Sequence, residues 1–113
     1  MSKLNVYSVF DKKGKCYDAL YCFTCDVDAV RFFDMLIFSR ESKLHKYPED
    51  FDLFRIGYFD ASSGDGVMSL QSREFLTSAQ DRIIYFDVQK RMREEKVSSE
   101  LASISNEGDS ADA

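Results

Sequence analysis

At 113 residues and 13.0 kDa the chain has the length of one domain. An apolar content of 44%, with ten Phe and six Tyr, supports one modest core without disulfides and excludes a wholly disordered chain. A net charge of −5 excludes the broad basic footprint of a non-specific duplex binder.

Leu4 to Phe10 reads as a strand with apolar groups on both faces. Asp11-Lys12-Lys13-Gly14-Lys15 supplies a turn, with Gly14 free to take positive φ. A second strand runs from Cys16 to about Thr24 and closes a hairpin. The period then changes. Ala29, Phe32, Phe33, Leu36 and Ile37 share one helix face over residues 26–41, with Asp26 as N-cap and Arg40, Lys43 and Lys46 near the other end. Met35 and Phe38 lie off that stripe. Residues 42–50 read as a linker ended by the single proline, Pro48. Phe51 to Asp60 is a third strand, 61–66 a hairpin loop, and Val67 to Leu70 a short return strand. A helix is expected over about 78–96, although Ile83-Ile84-Tyr85-Phe86 alone also fits a strand.

These elements predict an α+β fold: a ββαββ antiparallel sheet with one main amphipathic helix, plus a C-terminal helix. Residues 1–96 form the single domain, its core in 3–70, and the Ser-rich acidic stretch 97–113 is expected to be a disordered tail. The longest apolar run, Ala19 to Phe23, is too short for a membrane span or signal segment, and the start Met1-Ser2-Lys3 reads as that of a cytoplasmic chain.

Catalytic and metal chemistry finds little support. Cys22 and Cys25 have the spacing of a metal or redox pair that Cys16 and His45 would complete. In an extended segment, however, an offset of three points the two thiols to opposite faces, so small buried or half-buried thiols are expected instead. His45 reads as a solvated side chain. Glu49, Asp50 and Asp52 surround Phe51 and read as a solvated strand entry rather than an acid–base or nuclease centre. Residues 60–66 carry Asp65 where a calcium loop needs its glycine. No P-loop, dinucleotide fingerprint or nucleophile elbow occurs, so no enzyme and no cofactor is expected.

Aromatic side chains offer another chemistry. Tyr7, Tyr17, Tyr21, Phe54 and Tyr58 on a sheet could stack single-stranded bases while Lys12, Lys13 and Lys15 hold phosphates. The competing reading packs those rings under helices or at a dimer seam. The basic run Lys90, Arg91, Arg93 and Lys96 reads as a solvated helix face.

The stretch Tyr47-Pro48-Glu49-Asp50-Phe51-Asp52-Leu53-Phe54-Arg55-Ile56-Gly57-Tyr58-Phe59-Asp60, followed by Ser63-Gly64, resembles the central motif of the small nonstructural protein of gokushoviruses, microviruses with single-stranded DNA genomes. Its Pro48, Asp50, Phe51, Leu53, Gly57, Phe59, Asp60 and Gly64 carry the likeness, which extends over about residues 3–70. The resemblance implies a non-virion phage protein of the host bacterial cytoplasm that acts in viral single-stranded DNA synthesis and genome packaging. Its implied partners are viral single-stranded DNA, phage replication or procapsid proteins, or a second copy in a homodimer. The alternative is a dimeric protein–protein adaptor without DNA contact. No catalytic residue comes with the likeness. Pro48, Gly57 and Gly64 have structural readings: rigid strand entry, close backbone approach, and a turn.

Overall fold

A computed structural model describes residues 3–62 and 64–112, with side chains described through residue 102 apart from Ser63. The elements run in the order β1 (Lys3–Asp11), β2 (Cys16–Phe23), α1 (Asp26–Ile37), α2 (Lys43–Lys46), a 3-10 turn at Pro48–Asp50, β3 (Phe51–Asp60), β4 (Met68–Ser78) and α3 (Ala79–Asp112). The chain divides into two compact units, Met1–Ile83 and Ile84–Ala113.

In the first unit the strands lie in the order β2-β1-β3-β4, and every pair is antiparallel. The class is α+β, as the hairpin pattern predicts. Central strands need apolar groups on both faces, which is what β1 and β3 carry. Val6, Tyr7, Ser8 and Val9 are consecutive and buried. Tyr7 and Val9 join Leu53 beneath Ala29, Phe33 and Ile37 of α1, with Ala79 closing the same core. Ser8 points the other way, and its hydroxyl donates to the Asp18 and Ala19 carbonyls at 3.1 and 3.0 Å. Those two carbonyls sit where the β1–β2 register shifts, so a buried hydroxyl satisfies the backbone of a bulge.

Several expectations are corrected. The helix ends at Ile37, not at residue 41, so Arg40, Lys43 and Lys46 lie beyond it. Cys25, extended and without a side-chain cap bond, occupies the N-cap in place of Asp26, whose carboxylate is used elsewhere. The linker contains α2, capped by Ser42, and the turn at Pro48. Positive φ falls on Lys15 rather than Gly14. The Asp11 carboxylate accepts from the Lys13 and Gly14 amides at 3.0 Å and sets that turn. The short return strand is an eleven-residue β4. Its irregular pairing with β3 between Arg55 and Gly57 explains why strict alternation is missing from the sequence. Ser78 accepts from the Asp81 amide at 3.0 Å and starts α3. The helix continues through Asp112 where a disordered tail is expected. No proline interrupts 79–112, and the only glycine is Gly108. Ser63 of the central motif and Ala113 lie outside the described residues. Among the described residues no helix is long and apolar enough to cross a membrane.

Candidate nucleic-acid interface

Each strand of the sheet contributes one ring to the face opposite α1. Phe10 of β1 pairs in register with Tyr17 of β2, and Phe54 of β3 with Phe75 of β4. Centroid separations are 4.9 Å for Phe10–Tyr17, 6.2 Å for Phe10–Phe54, 6.4 Å for Tyr17–Phe54 and 5.8 Å for Phe54–Phe75. Phe54 is the buried centre of the group, while Tyr17 and Phe75 expose 42% and 54% of their surface. Tilted and edge-on geometries of this kind suit the aromatic quadrupole.

Arg73 lies across the cluster. Its guanidinium carbon is 4.4 Å from the Phe54 centroid and 5.1 Å from that of Phe10, and Nη1 donates to the Tyr17 hydroxyl at 3.1 Å. The guanidinium is thus held over two rings while remaining solvent-exposed. Lys12, Lys13 and Lys15 occupy the hairpin tip that adjoins Phe10 and Tyr17, and all three are exposed. Lys12 is anchored at its backbone, where its amide donates to the Asp50 carbonyl at 2.8 Å. Its ammonium stands 3.7 Å from Asp52 Oδ1, a buried oxygen without a hydrogen-bond partner among the described residues.

The other proposed stacking residues lie apart from this cluster. Tyr7 is 0% exposed, so its ring has no face to offer a base. Tyr21 packs 4.8 Å from Phe32 of α1, and its hydroxyl donates to Asp18. Burial, and then the Asp18 carboxylate, push the Tyr21 phenol up from its ordinary value. Tyr58 sits on the α1 side of β3 with the Lys3 ammonium 4.6 Å over its ring. Sequence reasoning missed Phe10, Arg73 and Phe75. The i, i+2 spacing of Arg73 and Phe75 within an apolar-flanked segment was the available signal.

A polar network braces the α1 side. The Tyr7 hydroxyl donates to Asp26 Oδ1 at 2.6 Å, and Arg55 Nη1 donates to both Asp26 oxygens at 2.9 and 2.7 Å. Arg55 also pairs with Glu74 on β4. Burial raises the Asp26 carboxyl, but the Tyr7 hydroxyl and the Arg55 guanidinium outweigh it and hold the group below the ordinary carboxylate value. Burial first, and then the bond to Asp26, drive the Tyr7 phenol well above its usual range. Arg82 makes a two-pronged pair with Asp34 at 2.7 and 2.8 Å, tying the start of α3 to α1.

The three cysteines are exposed and unbonded, not buried, because two lie on the edge strand β2 and Cys25 lies two residues beyond it, at the N-cap of α1. Among the described residues no three of His, Cys, Asp and Glu converge. The acidic residues near Phe51 diverge into separate structural work: Asp50 closes the 3-10 turn and Asp52 sits by Lys12.

The family model described as Phage ORF5 protein matches residues 4–82. The chain belongs to that family. The match spans all four strands and α1, and it contains the motif with gokushovirus character. Protein ORF5 of Chlamydia phage 1 is 42% identical over 62 residues, covering 51% of this chain and 65% of that protein. The chain therefore spans just under two thirds of that relative's length. No solved structure matches the chain. This is a small phage protein.

Proposed function

We propose that this phage accessory protein acts in viral single-stranded DNA synthesis and genome packaging in the host cytoplasm, by holding single-stranded DNA on the four-ring sheet face. The observation that carries the reading is Arg73, whose guanidinium lies over Phe10 and Phe54 beside the exposed rings of Tyr17 and Phe75. Bases stack on aromatic and guanidinium planes without any demand for sequence, at ~1–3 kcal/mol per base. Lys12, Lys13 and Lys15 stand where the backbone of such a strand would pass. The acidic remainder of the chain keeps the contact local, so few phosphates are engaged and binding weakens moderately with salt. No chemical step on DNA is part of this function.

Fluorescence anisotropy with a labelled oligothymidylate at low salt tests it. Tyr17→Ala, Arg73→Ala and Phe75→Ala should each weaken binding by ~5–160-fold, the range that loss of one stacked base implies. Tyr21→Ala should weaken it far less. Absence of binding by the unaltered protein at low salt would remove direct DNA contact.

One observation favours a second reading, an adaptor for a phage replication or procapsid protein. Leu20 and Leu70, on the same face by register, expose 52% and 71% of their surface, more apolar area than a strand of DNA requires. Under that reading the same alanine variants lose a protein partner, and the oligonucleotide has no measurable affinity.

A further inference from the structure

The outward side of α1 carries a second surface that the DNA reading leaves unused. Val27, Arg31, Met35 and Phe38 recur at helical spacing opposite Ala29, Phe33 and Ile37. Val27, Met35 and Phe38 expose 59%, 69% and 48% of their surface, and the Phe38 ring meets His45. The surrounding charge is positive on balance: Arg31, Arg40, Lys43 and Lys46 are all exposed, against exposed Glu41 and half-buried Asp28. Arg31, Arg40 and Lys43 have no carboxylate within ion-pairing distance among the described residues, and Lys46 lies over the Tyr47 ring at 5.6 Å.

The chain also contains a segment of opposite character. Residues 97–112 of α3 carry Glu100, Glu107, Asp109 and Asp112 and no cation. Val97 and Leu101, one helical turn apart, expose 52% and 59% of their surface, and Ile104 follows three positions later in the sequence. At 1.5 Å per residue, α1 from Val27 to Phe38 offers about 16 Å and residues 97–112 about 22 Å, so the segment is long enough to cover the stripe. An acidic helix with a few apolar side chains complements a basic face with a few apolar side chains.

We propose that the acidic C-terminal segment of one copy docks on the α1–α2 outer face of a second copy, and that the exchange is reciprocal. Each dimer then contains two equivalent contacts related by a two-fold axis. This goes beyond the proposed DNA contact, which uses other residues, and either can fail alone.

Sedimentation velocity on the full chain tests it through two charge-reversed variants. One is reversed on the face (Arg31→Glu, Arg40→Glu, Lys43→Glu) and the other on the segment (Glu100→Lys, Glu107→Lys, Asp109→Lys). The unaltered protein should sediment at twice its 13.0 kDa mass at low salt and shift toward one copy at high salt. Each variant alone should stay at the mass of one copy, because its own face and segment then repel. An equal mixture should regain the doubled mass, since both contacts of the mixed pair are again opposite in sign. That recovery also shows that both variants are folded. Three results would overturn the proposal: an unaltered protein of single mass at every concentration, doubled mass retained by either variant alone, or a mixture that fails to regain it.

Discussion

Gly57 sits at a close approach of β4 to β3. A Cβ built there would lie 2.2 Å from the Ser69 carbonyl oxygen, a backbone atom that cannot swing aside. Gly57→Ala should therefore force the two strands apart and destabilise the fold by about 1–3 kcal/mol, seen as a lower urea midpoint. An unchanged midpoint would mean that β4 shifts freely. This glycine is legible in the sequence as a point of close approach. Asp26 is not: its position before an apolar helical run suggests a cap, yet its carboxylate serves Tyr7 and Arg55. Because its folded-state pKa is depressed, it contributes stability that is present above the ordinary aspartate value of about 3.9 and lost as pH falls through the lower folded value. Asp26→Asn should accordingly lower the urea midpoint at pH 7. The gap to the unaltered protein should close as the pH is taken below about 4. A gap independent of pH would place the effect in packing instead.

At the scale of elements, the sheet separates two kinds of aromatic residue that look alike in the sequence. Those on the α1 side, Tyr7 and Tyr21 with Phe33 above them, are structural. Those on the other side, Phe10, Tyr17, Phe54 and Phe75, form the open cluster. Phe33→Ala should cost about 3–5 kcal/mol by leaving a cavity under α1. Thermal unfolding followed by circular dichroism would read this as a drop in Tm of well over ten degrees, at ~4–8 °C per kcal/mol for a domain of this size. Phe75→Ala, at an exposed edge, should leave Tm nearly unchanged while reducing oligonucleotide affinity. The alternation that assigns rings to faces is readable along β1 and most of β3. It is lost in β4, where the register slips past residues 71–73 and again opposite Leu53 and Phe54, so that a simple period of two misplaces Glu74 and Phe75 between the two slips.

For the whole molecule, charge placement matters more than its total. Residues 1–46 are net +2 and residues 47–87 net −5, while 97–112 hold four carboxylates and no cation. A chain of net −5 gains nothing from long-range attraction to a phosphate backbone. The proposed DNA contact would therefore rest on stacking, with lysines acting only within a Debye length of about 10 Å at 0.1 M salt. The proposed association of copies is ionic at its rim and should be the more salt-sensitive of the two. Both depend on side chains from segments far apart in the chain: residues 10, 17, 54 and 73–75 in one case, and α1 with the acidic segment in the other.

The sequence by itself determined the family motif, the hairpin order, the amphipathic α1 and the α+β class, because each is a local pattern of period, turn chemistry or spacing. Only the tertiary structure decided which rings meet, that Arg73 belongs with them, that Tyr7 does not, and that Asp26 at the start of α1 answers Arg55 on β3. Those facts depend on strand order, bulges and register. These are set by the packing of residues far apart in the chain, 56 positions in the case of Tyr17 and Arg73, and no local pattern encodes them.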